Sequence, residues 1–530
     1  MRRHRPTTPL RPTALGAALL LAVATCALAP NRLAAQMIDT LAIRAHTRVL
    51  AHDSLEGRGT GTRGEQRAAR YIVDQLHELG VPGAGPDGAY LLPVPLREVT
   101  LDSTDSRIVI ADVAAEGTGE EGKEGRDSVV FRPNHDFILA PGALGAFRDF
   151  AGTAIFAGTA GLARAALEDV GPLDGKVVVI LGTLGRTALD LGPDWKRRGA
   201  AGVVLLVPDD AGFRQLAAAY GPARLALDAP VDNPVWQPDL PLVIAGPRLA
   251  AALLADAPIP RDALDGSRPF RAITLARRID ATIRVRTRAL PAANIAARIP
   301  GRDPALADEV VVYTAHYDHL GIGAPDQRGD SIYNGFSDNA AGTAMLLAIA
   351  AALRDAPPAR SVLFLFFTGE ERGLLGSSYY VTEPAVPLEK VVAVINLDAG
   401  APPAPPRNWR LAGGKLSTLG PRAREVVTRN GWEAELTDTS PNSDHWPFLR
   451  GGVPAIFIIP GQDWEGVTRA EKEALQHRWE RYHQPGDEWH PEYPMVGLQR
   501  YADVALRIGV DVANDPDYRP AMTAGTGNGR

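Results

Sequence analysis

The chain has 530 residues, of which 45% are hydrophobic and 22% are charged, and its formal net charge is −6. This length exceeds that of one ordinary domain, so two or three folded units are expected. The hydrophobic and charged fractions are ordinary for a globular protein. The small net charge argues against nucleic acid as a partner.

The N-terminus has the pattern of an export signal. Three arginines among the first five residues give a positive start, the apolar run 14–29 follows, and small residues lead to a cleavage point after Ala35. The run is shorter than the roughly 20 residues that span a bilayer, which favours a cleaved signal over a membrane anchor. We therefore expect residues 1–35 to be removed on export to the periplasm or the extracellular space.

The chain has a single cysteine, Cys26, which lies inside this segment. Cleavage beyond it leaves a mature chain without thiols, so no disulfide is expected. A lipid anchor at Cys26 is the alternative, although Thr25 before it is a poor match to the small residue normally found there. No later segment is expected to be long and apolar enough to span a membrane.

Two regions precede the main domain of the mature chain. Residues 36–127 contain a predicted helix over 64–79, in which Ala68, Ile72 and Leu76 have helical spacing, and end in a Gly-rich, charged loop at 116–127. Residues 128–285 contain apolar runs such as Gly175–Leu181 and Gly199–Leu206 separated by a polar helical stretch. This alternation predicts a small, β-rich inserted unit with some helix.

Residues 286–514 have a regular α/β pattern. Four runs apolar on both faces are predicted strands, and an Ala-rich helix is predicted over 339–353; the strands are Val310–Ala315, Ser361–Phe367, Val391–Ile395 and Ala455–Ile459. Such strands belong to the centre of a sheet that helices cover. The sequence therefore predicts an α/β fold with a mostly parallel central sheet flanked by helices, followed by a frayed tail at 515–530.

Acidic and imidazole side chains follow these strands or lie in Gly/Pro-containing loops, where the sites of such sheets are usually built. The candidate metal ligands are His316, Asp338, Glu371, Asp398 and His483. His477 and His490 compete locally with His483 but lack its Pro-Gly turn context, so they rank below it.

His316 directly follows the first strand, and Asp318 lies two residues on. The Asp318 carboxylate is expected to accept the hydrogen bond of the imidazole nitrogen that does not bind metal. Asp338 precedes the Ala-rich helix, where an N-cap is the alternative interpretation. A carboxylate with two oxygens is also the natural bridge between metal ions about 3.5–4 Å apart.

Glu370 and Glu371 come directly after the second apolar strand. Two adjacent carboxylates there are costly unless a cation neutralises them. Because adjacent side chains point in different directions, one glutamate can bind a metal ion while its neighbour acts on water. Glu371 is the candidate ligand, and Glu370 is the candidate base. Two divalent ions carry four positive charges, and the three ligating carboxylates carry three negative charges. One positive charge remains to be balanced by a bound hydroxide. The N/O ligand set without sulfur suits Zn²⁺, with Co²⁺ or Mn²⁺ as substitutes.

Together these segments resemble the M28 family of co-catalytic zinc peptidases, over most of the stretch 293–506 and weakly at Glu56–Gly59. The matching segments are His316–Asp318, Ser337–Gly342, Thr368–Glu371, Asn396–Asp398, Ser443–His445 and Tyr482–Pro485. Each motif alone is unspecific, whereas their order and spacing are specific. The Pro-rich run 402–406 is an additional loop expected beside the site.

The resemblance implies a division of ligands and roles. His316 and Asp398 would hold one zinc ion, Glu371 and His483 the other, and Asp338 would bridge them. Glu370 would be the general base that takes a proton from water and passes it to the leaving amine. Tyr482 would stabilise the tetrahedral oxyanion, although a packed tyrosine is an equally open interpretation. Ser443–His445 would lie near the site without a direct role.

The middle unit resembles a protease-associated (PA) domain, an insert thought to shape access or hold substrates. The resemblance as a whole implies an exported aminopeptidase that acts on peptides with two zinc ions per chain. The oligomeric state is not predicted.

Three alternatives stay open at this point. A carboxypeptidase or dipeptidase on the same scaffold would need an arginine clamp for an α-carboxylate, and arginine is too frequent here to decide. Glutaminyl cyclase chemistry would use one zinc ion, which the complete second ligand set disfavours. A non-catalytic binding protein would lack a ligand or the base, and none is missing.

Overall fold

The fold is that of a computed structural model, which describes residue 1 and residues 38–113, 128–140, 146–182, 192–207, 209–220, 223–229, 240–255, 257–259, 269–479 and 481–523. Residues 2–35 of the expected signal segment, Cys26 included, and the loop at 116–127 lie outside the described residues.

The N-terminal segment forms two helices and a long strand: α1 (Thr40–Leu50), α2 (Arg63–Glu78) and β1 (Leu91–Leu101). The predicted helix at 64–79 is confirmed by α2, which buries Ala68, Ile72 and Leu76 along one face. Asp39 caps α1 by accepting a hydrogen bond from the Leu41 backbone N–H at 2.8 Å.

The middle of the chain forms a mixed eight-stranded sheet with short helices. Its elements, with one strand that leaves the sheet, are β2 (Arg107–Asp112), β3 (Ser128–Phe131), β4 (Phe137–Leu139), β5 (Phe150–Thr159), α3 (Ala163–Ala166), β6 (Lys176–Leu181), α4 (Gly192–Arg197), β7 (Gly202–Leu206), α5 (Asp210–Tyr220), β8 (Ala223–Leu227), β9 (Leu242–Ala245), α6 (Pro247–Leu254) and β10 (Ile273–Thr282). The strand order is β3-β2-β10-β5-β6-β7-β9-β4. Both predicted strands of this region are present, as β6 and β7.

This sheet starts earlier in the chain than the predicted boundary at residue 128. Strand β2 pairs antiparallel with β10, so residues 107–112 belong to the middle sheet. Strand β8 instead pairs with β1 in the main sheet. The middle unit is therefore joined to the main domain by β8 as well as by the chain connections at both of its ends.

The main domain contains the remaining elements. They are β11 (Val285–Ile299), β12 (Val310–His316), β13 (Gly321–Ile322), β14 (Ile332–Tyr333), α7 (Ala341–Arg354), β15 (Ser361–Phe367), α8 (Leu375–Thr382), β16 (Val391–Asn396), β17 (Asn408–Ala412), α9 (Leu419–Arg429), β18 (Glu433–Thr437), α10 (His445–Arg450), β19 (Ala455–Pro460), α11 (Arg469–Trp479) and α12 (Val496–Asn514).

The main sheet has nine strands in the order β18-β17-β19-β16-β12-β15-β11-β1-β8. The four strands predicted from the apolar runs are β12, β15, β16 and β19, and they lie side by side and parallel at its centre. The flanking strand β11 is antiparallel to β15, as β17 is to β19, so the sheet is mixed overall and parallel where the runs are most apolar. The carboxyl ends of the four central strands consequently meet at one edge.

Helix α7 packs inside the main domain against α1, α12 and β12. Among the described residues, the helical stretch Phe336–Arg354 is long and apolar enough by length and composition to cross a membrane, which differs from our expectation for the later segments. Its apolar window is 83% buried in the fold, because the alanines and leucines of α7 fill the main core.

The end of the chain is more ordered than the predicted tail. Tyr518 is buried to 7% exposure, and the Thr523 backbone N–H donates to the Leu416 carbonyl at 2.8 Å. Residues 515–523 therefore pack on the main domain, because a buried tyrosine ring and backbone hydrogen bonds fix them. Residues 524–530 lie outside the described residues.

Candidate metal centre

Acidic or imidazole side chains lie at or just after the carboxyl ends of three central strands, at the same edge of the sheet. His316 is the last residue of β12, Glu370 and Glu371 follow β15, and Asp398 lies two residues after β16. Gly369, at φ 68°, makes the turn after β15 in a backbone conformation that favours glycine. The candidate ligands are thus brought together by the parallel order of the central strands.

His316 is the centre of the first group of ligand atoms. Its Nε2 lies 2.8 Å from Asp398 Oδ1 and 3.1 Å from Asp338 Oδ1. The imidazole is 1% exposed, and its Nδ1 lies 3.1 Å from the backbone carbonyl oxygen of Asp318. Donation from Nδ1 to that carbonyl leaves Nε2 as the nitrogen available to a metal ion.

His483 and Glu371 form the second group. His483 Nε2 lies 2.9 Å from Asp338 Oδ2 and 3.4 Å from Glu371 Oε2. His319, which the sequence analysis did not select, completes this group, with its Nδ1 2.6 Å from Glu371 Oε1. These three residues and Asp338 present ligand atoms that lie within 4.8 Å of one another.

Asp338 joins the two groups, because its two carboxylate oxygens face different imidazoles. Burial alone would raise the pKa of Asp338, but hydrogen bonds from His316 and His483 outweigh it and hold the pKa well below its usual range. The N-cap alternative is not what the structure shows. Asn339 accepts the Gly342 backbone N–H at 2.9 Å through its side chain, and Asp338 points into the centre.

A chain of hydrogen bonds fixes Asp398 from behind. Ser443 Oγ donates to Asp398 Oδ2, and Asn396 Nδ2 donates to Ser443 Oγ at 2.7 Å. Asn396 is in turn oriented by Thr314, whose hydroxyl donates to its Oδ1 at 2.7 Å. Ser443 therefore contacts a candidate ligand directly, a contact that the sequence analysis did not assign to it.

Asp318 has a different role from the predicted one. Its carboxylate oxygen is 3.6 Å from His316 Nδ1, too far for the expected hydrogen bond. It accepts instead from the Glu370 backbone N–H at 3.1 Å and from the Thr60 hydroxyl at 2.7 Å. The chain leaves β12 at this point, so the alternation of an extended strand no longer places Asp318 beneath the His316 ring. Asp318 positions the Glu370 backbone, while its own carbonyl oxygen orients His316.

Glu370 lies beside His316 and Asp398, whereas Glu371 belongs to the other group of ligand atoms. Glu370 Oε2 is 3.9 Å from His316 Nε2, and the Glu370 side chain is 12% exposed. Burial raises the pKa of Glu370 well above its usual value against the opposing effect of His316, and the nearby Asp398 carboxylate raises it further. The arrangement gives a carboxylate that binds a proton readily beside the candidate ligands.

A buried arginine beneath the centre was missed from the sequence. Arg58 donates to four backbone carbonyl groups, those of Leu50, Tyr317, Asn334 and Gly335. Burial lowers the pKa of Arg58 to about 10, against the opposing effect of four neighbouring carboxylates, so the guanidinium is charged at neutral pH. The weak resemblance at Glu56–Gly59 was the available signal. This cation ties the N-terminal segment to the loops that carry the centre and offsets part of their negative charge.

Tyr482 is 63% exposed and its ring stacks on His483 with centroids 3.8 Å apart. Tyr482 therefore lies outside the core and packs on one candidate ligand. His477 and His490 are both exposed and belong to neither group of ligand atoms.

A pocket of about 320 Å³ opens beside the centre. It shares Asp398 and Tyr482 with the site, and its walls come from the loop 399–403, the segment after β19 and helix α11. Trp464 and Trp479 give it an aromatic lining, and Arg481 adds a cation. The predicted Pro-rich loop contributes residues 402 and 403, so it does lie beside the site.

The donor set fits a pair of divalent cations. Ligand atoms around a tetrahedral zinc ion with bonds of about 2.0–2.1 Å lie about 3.3 Å apart. The imidazole–carboxylate separations of 2.8–3.4 Å in the two groups are close to that spacing. Imidazole and carboxylate ligands without sulfur match the preferences of zinc at catalytic sites.

Comparisons with known proteins agree with this site chemistry. Residues 294–508 match the model of peptidase family M28. The chain is 26% identical over 193 residues to aminopeptidase YwaD of Bacillus subtilis (strain 168), an alignment that covers 34% of this chain and 39% of that protein. It is 29% identical over 184 residues to leupeptin-inactivating enzyme 1 of Streptomyces exfoliatus, over 34% of this chain and 38% of that protein.

The chain thus spans about two fifths of the length of these curated relatives. Among solved structures, the aminopeptidase from Aneurinibacillus sp. strain AM-1 is 17% identical, with a TM-score of 0.49, over 90% of this chain and 95% of that chain.

Proposed function

Residues 294–508 match the model of peptidase family M28, and on this premise we propose that the chain is an exported aminopeptidase that uses two zinc ions to remove N-terminal residues from peptides. The observation that carries the proposal is Asp338, whose Oδ1 and Oδ2 face His316 and His483 respectively. A single carboxylate shared in this way can hold two metal ions about 3.5–4 Å apart, the spacing found in two-metal hydrolases. The curated relatives named as aminopeptidases support the choice of activity.

Two zinc ions, when bound, supply Lewis-acid polarisation of the scissile carbonyl and make water acidic at neutral pH. His316 and Asp398 would hold one ion, Glu371 and His483 the other, and Asp338 both. Asp398 is fixed by Ser443, and the His316 ring by the Asp318 carbonyl, so the ligands on this side are oriented before metal binds.

Glu370 moves the proton in this proposal. Its carboxylate accepts a proton from water beside the His316 group and passes it to the leaving amine. The hydrogen bond from the Glu370 backbone N–H to Asp318 fixes the start of this side chain. The partly buried position limits the access of bulk water to the proton that Glu370 carries.

Tyr482 and the adjoining pocket would bind the substrate. The Tyr482 hydroxyl would donate to the oxyanion that forms at the scissile carbonyl. The pocket walls of Trp464, Leu475 and Trp479 provide apolar surface for one substrate side chain.

A carboxypeptidase or dipeptidase is the second candidate, and one observation favours it. Arg481 lines the pocket, where a guanidinium would bind the α-carboxylate of a short peptide through two parallel hydrogen bonds. Aminopeptidase activity remains the primary proposal because of the named relatives.

We further propose that the first 35 residues direct export and that the middle unit is a PA-type insert. The charged, apolar and small-residue pattern supports the first proposal. The β8–β1 pairing, which anchors the middle unit to the main sheet, is compatible with a substrate-shaping role for the second.

A substrate panel tests the function directly. We expect the purified chain to hydrolyse aminoacyl substrates with a free amine and to leave the same peptides intact when their N-terminus is blocked. Chelation should abolish this activity, and added Zn²⁺ should restore it. Cleavage of N-blocked peptides with a free C-terminus would instead establish the second candidate. Activity that survives complete metal removal would contradict both.

A further inference from the structure

His319 is a buried imidazole in the centre to which the proposed function gives no role. The residue is 0% exposed, and its ring lies edge-on to His483 with centroids 5.6 Å apart. Its Nδ1 is 2.6 Å from Glu371 Oε1, and its Nε2 has no hydrogen-bond partner among the described residues. An imidazole placed this way is either a further metal ligand or a support for one.

The distances decide between these roles. An ionised carboxylate only accepts hydrogen bonds, so Nδ1 carries the hydrogen and donates to Glu371 Oε1. The 2.6 Å separation is that of a short, charge-assisted hydrogen bond, and it is shorter than each of the imidazole–carboxylate separations of 2.8–3.4 Å in the two ligand groups. Glu371 Oε2 lies 3.4 Å from His483 Nε2, a spacing that suits ligands of a shared ion. One oxygen of Glu371 is thus committed to His319, and the other faces the metal position.

The surrounding backbone is built to hold this ring. The His319 N–H donates to the Arg58 carbonyl at 3.1 Å, which fixes its backbone to the N-terminal segment. Gly335 adopts φ 55°, and a Cβ there would lie 2.5 Å from Cδ2 of His319. Because almost any side chain at 335 would collide with the imidazole, the glycine keeps the space in which the ring sits.

We propose that His319 is a positioning residue that restricts Glu371 to binding its ion through Oε2 alone. The hydrogen bond occupies Oε1, so the carboxylate cannot rotate or bind in bidentate fashion. This inference rests on the proposed two-metal function. It adds that metal binding by Glu371 and His483 depends on the His319 imidazole, which does not itself bind the metal ion.

The test compares equilibrium metal binding by the wild type, H319A and H319N, with competing chelators used to resolve the two binding steps. Carboxylate ligands that lose a supporting partner typically lose about 10–100-fold in metal affinity. We therefore expect H319A to weaken one step by that factor and to leave the other unchanged. The amide of H319N places a donor near the position of Nδ1, so this variant should recover most of the lost affinity.

The visible spectrum of the Co²⁺-loaded proteins provides the second readout. H319N should keep the wild-type spectrum, because no metal–nitrogen bond is lost in it. H46N serves as the control, since His46 lies in α1 and hydrogen-bonds to Tyr71 rather than to the centre.

Three outcomes would overturn the inference. Unchanged affinity in H319A would show that Glu371 needs no support. Equal loss at both steps together with a lower Tm would show a purely structural role. Failure of H319N to recover, with a Co²⁺ spectrum that reports a lost nitrogen ligand, would make His319 a ligand. A wild type that binds fewer than two ions would contradict the proposed function itself, so the two failures are distinguishable.

Discussion

Replacing Glu370 with glutamine should abolish peptide hydrolysis while the metal content stays at two ions per chain. The amide keeps the shape of the side chain but cannot accept a proton. General acid–base catalysis contributes about 10²–10⁴-fold to such reactions, and we expect a loss of kcat at or above that range because Glu370 serves two proton transfers. KM should change little, since Glu370 does not line the substrate pocket.

The measurement is kcat and KM on a free-amine substrate, paired with metal analysis of the same sample. E389Q is the matched control, because Glu389 is exposed and lies in the turn Leu388–Lys390, away from the centre. If E370Q loses an ion along with activity, Glu370 is a ligand in the group of His316 and Asp398. If it retains activity, the assignment of the base is wrong.

Replacing Asp338 with asparagine should reduce both metal content and activity. The amide has one acceptor oxygen and no charge, so it cannot serve the His316 and His483 groups together. Each metal ion contributes several kcal/mol to stabilising the transition state, so the loss of one lowers kcat/KM by at least about 10³-fold. We expect D338N to retain at most one ion per chain.

Metal stoichiometry measured alongside kcat/KM tests this expectation. D355N is a suitable control at the other end of α7, because Asp355 is exposed and pairs with Arg354. Two tightly bound ions in D338N would show that the shared carboxylate is not needed to hold the pair.

The centre of the fold could be predicted because its strands are apolar on both faces. Only a strand covered by helices on both sides can bury Val310–His316 or Ser361–Phe367 completely, and both are fully buried. The same logic located His316, Glu371 and Asp398, since the carboxyl ends of parallel strands meet at one edge, whereas Asp338 and His483 were selected from their loop contexts. The structure brings all five candidate ligands together there.

The supporting contacts could not be predicted, because they depend on how the chain turns after each strand. Asp318 and His319 follow β12 directly, and their directions are set by contacts with Thr60 and Arg58, more than 250 residues away in sequence. A second histidine three residues after His316 was visible in the sequence. The pattern alone did not show that it would reach Glu371.

The sequence also could not predict which of the two sheets the strands near the ends of the middle unit would join. Strand β1 pairs along its full length with residues 285–295 of β11, and the two strands adjoin β2 and β10 of the middle sheet along the chain. No change in composition marks the passage between the sheets. Strand β8 returns to the main sheet from inside the middle unit, and local periodicity carries no information on that choice of partner.

One carboxylate shared by two cations is the central feature of the proposed site, and crystallography at the zinc absorption edge tests it most directly. In a crystal grown with zinc, we predict two anomalous peaks about 3.5–4 Å apart, one on each side of Asp338. One peak should lie beside His316 and Asp398, the other beside Glu371 and His483. A single peak at full zinc loading, or two peaks with Asp338 bound to only one of them, would contradict the account.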